Sequence, residues 1–418
     1  MTTVLVLGGG GREHALCWKL AQDPEVSRIV CAPGNGGIAQ LADCVACDIE
    51  DPAAVVALAR REGSGFVVIG PEAPLAAGVA DALAEAGIAH FGPSRAAAML
   101  EASKTFAKEI ADAVGAPTAR WRRFEALAPA LDYVEAEGAP IVVKADGLAA
   151  GKGVTVAETV DAAISALEAM FATPGAAVVV EACMTGPEAS LFALCDGAVA
   201  VEFGWAQDHK RAFDGDAGPN TGGMGAYSPA PVLTEALREA AMARIVRPAV
   251  AEMARRGTPY RGVLYAGLML TAEGPKLVEF NARFGDPECQ ALMMRLASPL
   301  LPLLRACAEG ALACAAPQWR EAAAATVVMA AKGYPGPYAR GERIGGLEAA
   351  AGLPGVQVFH AGTAARDGAI VSNGGRVLNV CALGADLPEA VSRAYAGVGA
   401  VDWPGGFHRR DIGVRALG

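Results

Sequence analysis

Glu279 and Asn281 stand two residues apart in the run LVEFNARFGDPECQ. In an extended chain alternate side chains share a face, so this carboxylate and amide oxygen point one way while Val278 and Phe280 point to the core. Such a pair suits Mg2+ or Mn2+, which take few protein ligands and complete their shell with phosphate oxygens. Arg283 continues the alternation if the strand runs that far, and its guanidinium would hold a carboxylate. The same residues also fit a polar strand face closed by an Asp286-Pro287 turn.

A second set lies in IVVKADGLAAGKGVTVA, residues 141–157. Lys144 ends an apolar strand, which puts its ammonium at the strand tip. Gly147, Gly151 and Gly153 leave backbone N–H groups accessible, and a loop of that kind can fold over a polyphosphate. It is not a P-loop: Lys152 is followed by Gly153 instead of Ser or Thr, and Gly147 is one residue too close to Gly151. A glycine-rich hairpin with solvated lysines fits the stretch equally well.

The third is LGGGGREHA, residues 7–15. Gly8 to Gly11 permit a tight turn, and the following helix start favours an anion. A dinucleotide fingerprint would need a third glycine where Glu13 stands and an acid at the end of the second strand, where VCAPGNGG has none. Arg12 beside the turn suits a phosphate monoester. A structural turn with a solvated Arg12 is the alternative.

These loops need a scaffold, and the first hundred residues supply one. Strands at Thr3–Leu7, Arg28–Ala32, Phe66–Ile69 and Ala89–Phe91 alternate with helices at Glu13–Ala21, Asp51–Arg61 and Leu75–Ala86. That rhythm gives a parallel sheet whose ligands bind at the carboxyl ends of the strands. There lie GGGGRE and the loop GPEAPL, Gly70–Leu75. A helical stretch follows over Arg95–Ala113, then a small α+β unit from Trp121 to about Met184. Next come strands, a long helix over Leu233–Arg256, and a hairpin formed by LYAGLMLTAEGPKLVEF. After Gln318 the chain reads as a further α+β piece.

Composition narrows the partners. The 418 residues are 53% hydrophobic and carry a net charge of −10, which argues against a nucleic-acid surface. Mean hydropathy is +0.31, yet no apolar run reaches the roughly 18 residues of a membrane span. No signal-peptide pattern opens the chain, so a cytoplasmic location is expected. The ten cysteines are scattered. Cys44-x-x-Cys47 has metal-like spacing but no second pair, and buried reduced thiols are expected there.

Taken together, GGGGREHALCWK, APGNGG, GPEAPLAAG, KADGLAAGKGV, QDHKRAFDGDAGPNTGGMGAYSPAP, LYAGLM and EFNARFGDPECQ resemble the phosphoribosylamine–glycine ligase family (glycinamide ribonucleotide synthetases) of the ATP-grasp superfamily. GYPGPY and FHAGT near the end belong to the same pattern, which covers nearly the whole chain in order. The block Gln207–Pro231 is specific to the family, whereas the lysine loop alone indicates only the superfamily.

The resemblance implies a multidomain α/β and α+β protein. An N-terminal parallel-sheet domain (1–100) precedes an ATP-grasp core (101–320) with a small lid (121–184), and a small C-terminal α+β domain (321–418) follows. It implies ATP-dependent joining of glycine to 5-phosphoribosylamine through glycyl phosphate, with Mg2+ or Mn2+. Lys104 and Lys144 resemble the ATP-contacting lysines, with Gly151 and Gly153 over the phosphates. Glu181, Ala182 and Cys183 resemble the adenine hinge, Glu188 the ribose-binding acid, and Glu279 and Asn281 the metal ligands. Gly10, Gly11, Arg12, Glu13, Pro71 and Glu72 are expected to meet phosphoribosylamine, and Arg283 the carboxylate of glycine. Asp208 is expected among the catalytic groups and Lys210 among the substrate contacts, while His209 reads as positioning. The hinge reads EACMTGPEAS where a second acid and a bulky residue are commoner. No nucleic-acid or membrane partner is expected. A monomer is expected, with a homodimer as the alternative. Outside this family, another ATP-grasp ligase or carboxylase and a dinucleotide-dependent oxidoreductase are the competing readings.

Overall fold

The computed structural model describes residues 1–148 and 153–417. Its N-terminal sheet has five strands in the order Asp43–Cys44, Val26–Pro33, Thr2–Gly8, Phe66–Ile69, His90–Phe91, and every neighbouring pair is parallel. Crossover helices cover both faces of such a sheet, so its strands are buried without alternation. Val4, Leu5, Val6 and Leu7 are all fully buried.

The lid is an antiparallel sheet ordered Trp121–Phe124, Val178–Ala182, Ile141–Ala145, Val154–Ala157. Helices Leu127–Glu137 and Val160–Phe171 close its own small core around Phe124, Val143 and Leu167. The largest sheet has nine strands. It starts at the hairpin Gly274–Asn281 and Arg261–Thr271, continues through Glu188–Asp196, Ala200–Asp208 and Gly225–Ser228, and passes into Ala323–Ala331, Arg376–Gly384 and Val356–His360. The C-terminal piece from Ala323 onward therefore adds its strands to the same sheet through the antiparallel pairing of Tyr227 with Ala325. One apolar core runs from Leu5 and Leu7 of the first sheet to Leu264, Leu277 and Phe280 of the last. It fixes the carboxyl ends of the parallel strands against the strand that carries Glu279.

Several elements differ from the sequence reading. GPEAPL is not all loop: Glu72–Ala77 is a helix, stopped by Gly78 at φ 91° before a second helix, Val79–Glu85. The stretch 95–113 is broken at Ser103, whose extended backbone ends Arg95–Ala102 and whose hydroxyl accepts from Phe106 N to start Lys104–Ala113. The long helix runs as Glu235–Ala241, a π-helical segment Met242–Val246, and Arg247–Arg255. Pro248 has no N–H for the helical ladder, and the wider turn before it absorbs the missing bond. Val278 is half-exposed rather than in the core. Cys44 is exposed and Cys47 only half-buried, not the buried thiols expected, because Asp43–Cys44 is a two-residue strand at the sheet's edge that ends before Cys47. Among the described residues no helix is long and apolar enough to cross a membrane.

Candidate active site

Glu279 and Asn281 lie in the strand Gly274–Asn281, opposite Gly267 and Tyr265 of the antiparallel neighbour. A Cβ on Gly267 would stand 3.3 Å from Glu279 Cγ, so the bare backbone there leaves room beside the carboxylate. Burial pushes the Glu279 carboxyl up, but Lys210, Lys144, Lys104 and Arg283 together hold it below the usual carboxylate range. The ammoniums of Lys144, Lys104 and Lys210 thus lie near enough to the Glu279 carboxylate to stabilise its charge. Among the described residues no group of three or more His, Cys, Asp and Glu side chains could hold an ion unaided. Two oxygen donors among cations fit a divalent ion that draws its other ligands from phosphates and water.

Lys144 sits near the end of Ile141–Ala145, with its Nζ 3.3 Å from Val278 O. It also stands 2.8 Å from Glu181 Oε1, as an ion pair without hydrogen-bond alignment. Glu181 is buried, and its other oxygen accepts from Lys108 Nζ at 2.9 Å. The Glu181 side chain therefore sits between two lysines. The Ala182 N–H is engaged by Arg120 O at 2.9 Å, and Cys183 beside it is half-buried. Glu188 is paired with Lys210, whose pKa burial lowers but Glu188, Asp208, Tyr265 and Glu279 raise further.

Sequence reasoning missed the role of Asp146. Its carboxylate accepts from Lys104 N at 2.7 Å, Thr105 N at 3.3 Å and Thr105 Oγ1 at 2.6 Å, and the Ser103 hydroxyl also reaches it. It caps a helix that lies 40 residues upstream, where an anion is favoured by the exposed N–H groups. Lys104 Nζ in turn donates to Gly147 O at 2.9 Å, and Ala145 N to Gly153 O at 2.8 Å. Both ends of the glycine loop are thereby tied down. Gly151 and Lys152 lie outside the described residues. Asp146→Ala is expected to lower stability by about 0.5–2 kcal/mol, the usual cost of a lost cap, as thermal melts would check.

The N-terminal loop is more tightly paired than its sequence suggests. Glu13 Oε2 accepts from Gly10 N at 2.6 Å, and a Cβ on Gly70 would come within 2.3 Å of Glu13 Oε1. Gly11 opens the helix Gly11–Leu20, and the Arg12 guanidinium is buried against Glu13 Oε1 at 2.6 Å and Phe284 O at 3.0 Å. Arg12 is thus no solvated side chain. Pro71 precedes the helix that Glu72 begins, without a side-chain cap, and Glu72 meets Arg283 at 3.2 Å. Arg283 lies beyond the end of its strand and also contacts Glu101 at 3.0 Å and Asn281 Oδ1 at 3.3 Å. Its charge is matched by two carboxylates, so a substrate carboxylate would have to exchange with one of them. Glu101 gave no signal in the sequence, since its partner lies far along the chain.

Asp208 ends the strand Ala200–Asp208. Burial, opposed by Lys210 and aided by Glu288 and Glu188, raises its pKa to about 7. His209 beside it is buried, its Nε2 accepts from Gly413 N at 3.2 Å, and burial with Arg415 and Arg409 holds its pKa down at about 3. A neutral ring held by the C-terminal segment is a positioning group. Arg415 donates to Asp208 O and Arg409 to Arg211 O, both at 3.1 Å, so the last residues of the chain clasp the segment that presents Lys210. A cleft of about 510 Å3 opens between the lid strand at Val154–Val156 and the ribbon carrying Arg211 and Asn220.

Models of the phosphoribosylglycinamide synthetase family match the chain in three consecutive parts: the N domain over residues 2–101, the ATP-grasp (A) domain over 102–289 and the C domain over 324–415. A phosphoribosylamine–glycine ligase of Mesorhizobium japonicum is 57% identical, over 99% of this chain and 98% of the relative. The chloroplastic phosphoribosylamine–glycine ligase of Arabidopsis thaliana is 52% identical, over 97% of this chain and 79% of the relative. The crystal structure of a phosphoribosylamine–glycine ligase from Thermotoga maritima superposes with a TM-score of 0.83 at 31% identity, covering 98% of this chain and 100% of that one. A biotin carboxylase domain from Hydrogenobacter thermophilus shares the fold, with a TM-score of 0.73 at 16% identity over 97% of this chain and 91% of that one.

Proposed function

The chain belongs to the phosphoribosylglycinamide synthetase family, and from that premise we propose how its own residues carry out the reaction. It is an ATP-grasp carbon–nitrogen ligase of purine biosynthesis that joins glycine to phosphoribosylamine. The proposed route has two steps. An oxygen of the glycine carboxylate attacks the γ-phosphorus, the bond to the β-phosphate breaks, and ADP leaves with that electron pair. The amine of 5-phosphoribosylamine then attacks the acyl carbon of glycyl phosphate, phosphate departs, and the nitrogen loses a proton.

The observation that carries this reading is the gathering of Lys104, Lys144 and Lys210 around Glu279. Phosphoryl transfer asks mainly for positioning and charge neutralisation. Glu279 and Asn281 would hold Mg2+ or Mn2+, which supplies positive charge against the triphosphate oxygens when bound. Lys144 from the lid and Lys104 from the start of its helix hold the phosphates, and Gly153 covers them, which keeps water from the acyl phosphate. The Cys183 backbone and Glu188 meet adenine and ribose. Arg283 takes the glycine carboxylate in exchange for Glu72. Gly10, Gly11, Arg12 and Pro71 meet phosphoribosylamine. Asp208 accepts the proton released as the new bond forms. A cytoplasmic monomer acting on small molecules accompanies this reading, in keeping with a net charge of −10.

The direct test measures ADP release with glycine and freshly made phosphoribosylamine. Release should require both, and release with bicarbonate in place of glycine would overturn the assignment.

Asp208 yields a separate prediction with a defined sign. Its folded pKa of about 7 lies above the ordinary 3.8. The stability it contributes is therefore fully present below about pH 4 and is lost as pH rises through 7. Each tenfold change in proton affinity corresponds to about 1.4 kcal/mol. Asp208→Asn should gain Tm relative to the parent chain between pH 4 and 8. The parent's kcat should rise through about pH 7, and the variant's low residual rate should not. Parallel melting curves at both pH values would remove the shifted carboxyl.

A further inference from the structure

We propose that Lys108, through Glu181, positions the ammonium of Lys144 and keeps the floor of the nucleotide cleft positively charged. The inference rests on the ATP-site reading given above. Lys108 lies one helical turn beyond Lys104 in Lys104–Ala113, on the same side of the helix. It is only 3% exposed, and its Nζ donates to Glu181 Oε2 at 2.9 Å and Thr118 Oγ1 at 2.7 Å. Thr118 Oγ1 donates onward to Leu277 O at 2.7 Å. The next carbonyl, that of Val278, accepts from Lys144. A closed circuit therefore runs from Lys144 through Glu181, Lys108 and Thr118 back to the strand that carries Glu279. It joins the lid, the helix that begins at Lys104 and the metal-end strand.

Packing alone does not call for this arrangement. A buried ion pair is often no more stable than apolar groups of the same volume. One carboxylate between two ammoniums leaves a net positive charge, and it leaves that charge beside a cleft for a triphosphate. With Lys108 gone, Glu181 would neutralise Lys144 and draw it from Val278 O. Lys108 does not touch the phosphates; it acts on Lys144, which does.

The test is a double-mutant cycle read by ATP binding. Lys108→Met should raise Kd for ATP about tenfold in the parent chain but less than about twofold in a Lys144→Met background, since coupling is expected only between residues of one network. Lys108→Arg, which keeps the charge at every pH, should stay within about threefold of the parent. Should Lys108→Met fail to fold, Lys108→Met/Glu181→Gln removes the buried pair together. It leaves Lys144 unneutralised and should bind ATP within about threefold of the parent. An equal loss in both backgrounds, or an arginine variant as weak as the methionine one, would overturn the proposal, as would a double variant that folds yet binds poorly. A parent chain that binds no ATP would instead defeat the ATP-site reading itself.

Discussion

Glu279→Gln should reduce kcat by about a thousandfold, the upper range for removing one charge-stabilising group. Shape is nearly unchanged by the substitution, so the loss reports charge. The charges of Lys210, Lys144, Lys104 and Arg283 all act on Glu279 and hold its pKa below the ordinary value despite burial. A depressed carboxylate contributes stability that is present above the unfolded pKa and lost as pH falls through the folded one. The amide variant forfeits that contribution, so it should melt earlier than the parent at neutral pH and approach it under acid. Activity should show a second signature. With one metal-holding oxygen gone, the divalent concentration for half-maximal rate should rise. Near-normal kcat, or an unchanged divalent requirement, would dissociate Glu279 from the metal. Asn281→Ala should show the same requirement with a smaller loss, since its oxygen is neutral and shared with Arg283.

The parts of the molecule that could be read beforehand are those with a local period. Thr2–Gly8 and the strands that pair with it announce themselves through apolar runs bounded by glycine turns. Glu279 and Asn281 follow from the two-residue repeat of a strand, whichever strand lies beside it. Helix breaks at Ser103 and Gly78 were lost because helix-forming residues lie on both sides of each. Contacts made across the chain left no trace at all. Nothing around Glu181 in the sequence points to Lys108, 73 residues away, which donates to its carboxylate. Arg283 reads as an open guanidinium until Glu72, 211 residues away, is placed on it. Arg12 reads as a phosphate ligand, or else a solvated side chain, beside four glycines, yet the carbonyl it reaches is 272 residues distant. Charge pairing decides which polar side chains remain free for a substrate, and pairing at such separations is a property of the assembled sheets.

Lys144→Met should lower kcat/KM for ATP by roughly 10²–10³, or about 2.7–4 kcal/mol of transition-state stabilisation. Two effects would be mixed in that number. The ammonium would be missing from the phosphates, and Glu181 would be left buried with Lys108 as its sole ion partner. Removing one member of a buried pair can cost about 3–5 kcal/mol of stability. Here the cost should be smaller, because Lys108 and Glu181 still hydrogen-bond at 2.9 Å. The two effects separate in Lys144→Met/Lys108→Met/Glu181→Gln, which removes the whole buried charge cluster and strands no charge. Its Tm should exceed that of Lys144→Met if the lost ion contact is responsible for the destabilisation. Its kcat/KM should stay low, because no rearrangement of Glu181 restores a cation at the strand tip. Recovery of rate along with stability would mean that Lys144 supports the lid and never meets the triphosphate. Persistent loss of rate in a restored fold would assign it to the phosphates, since Val278 O is the other group its Nζ reaches.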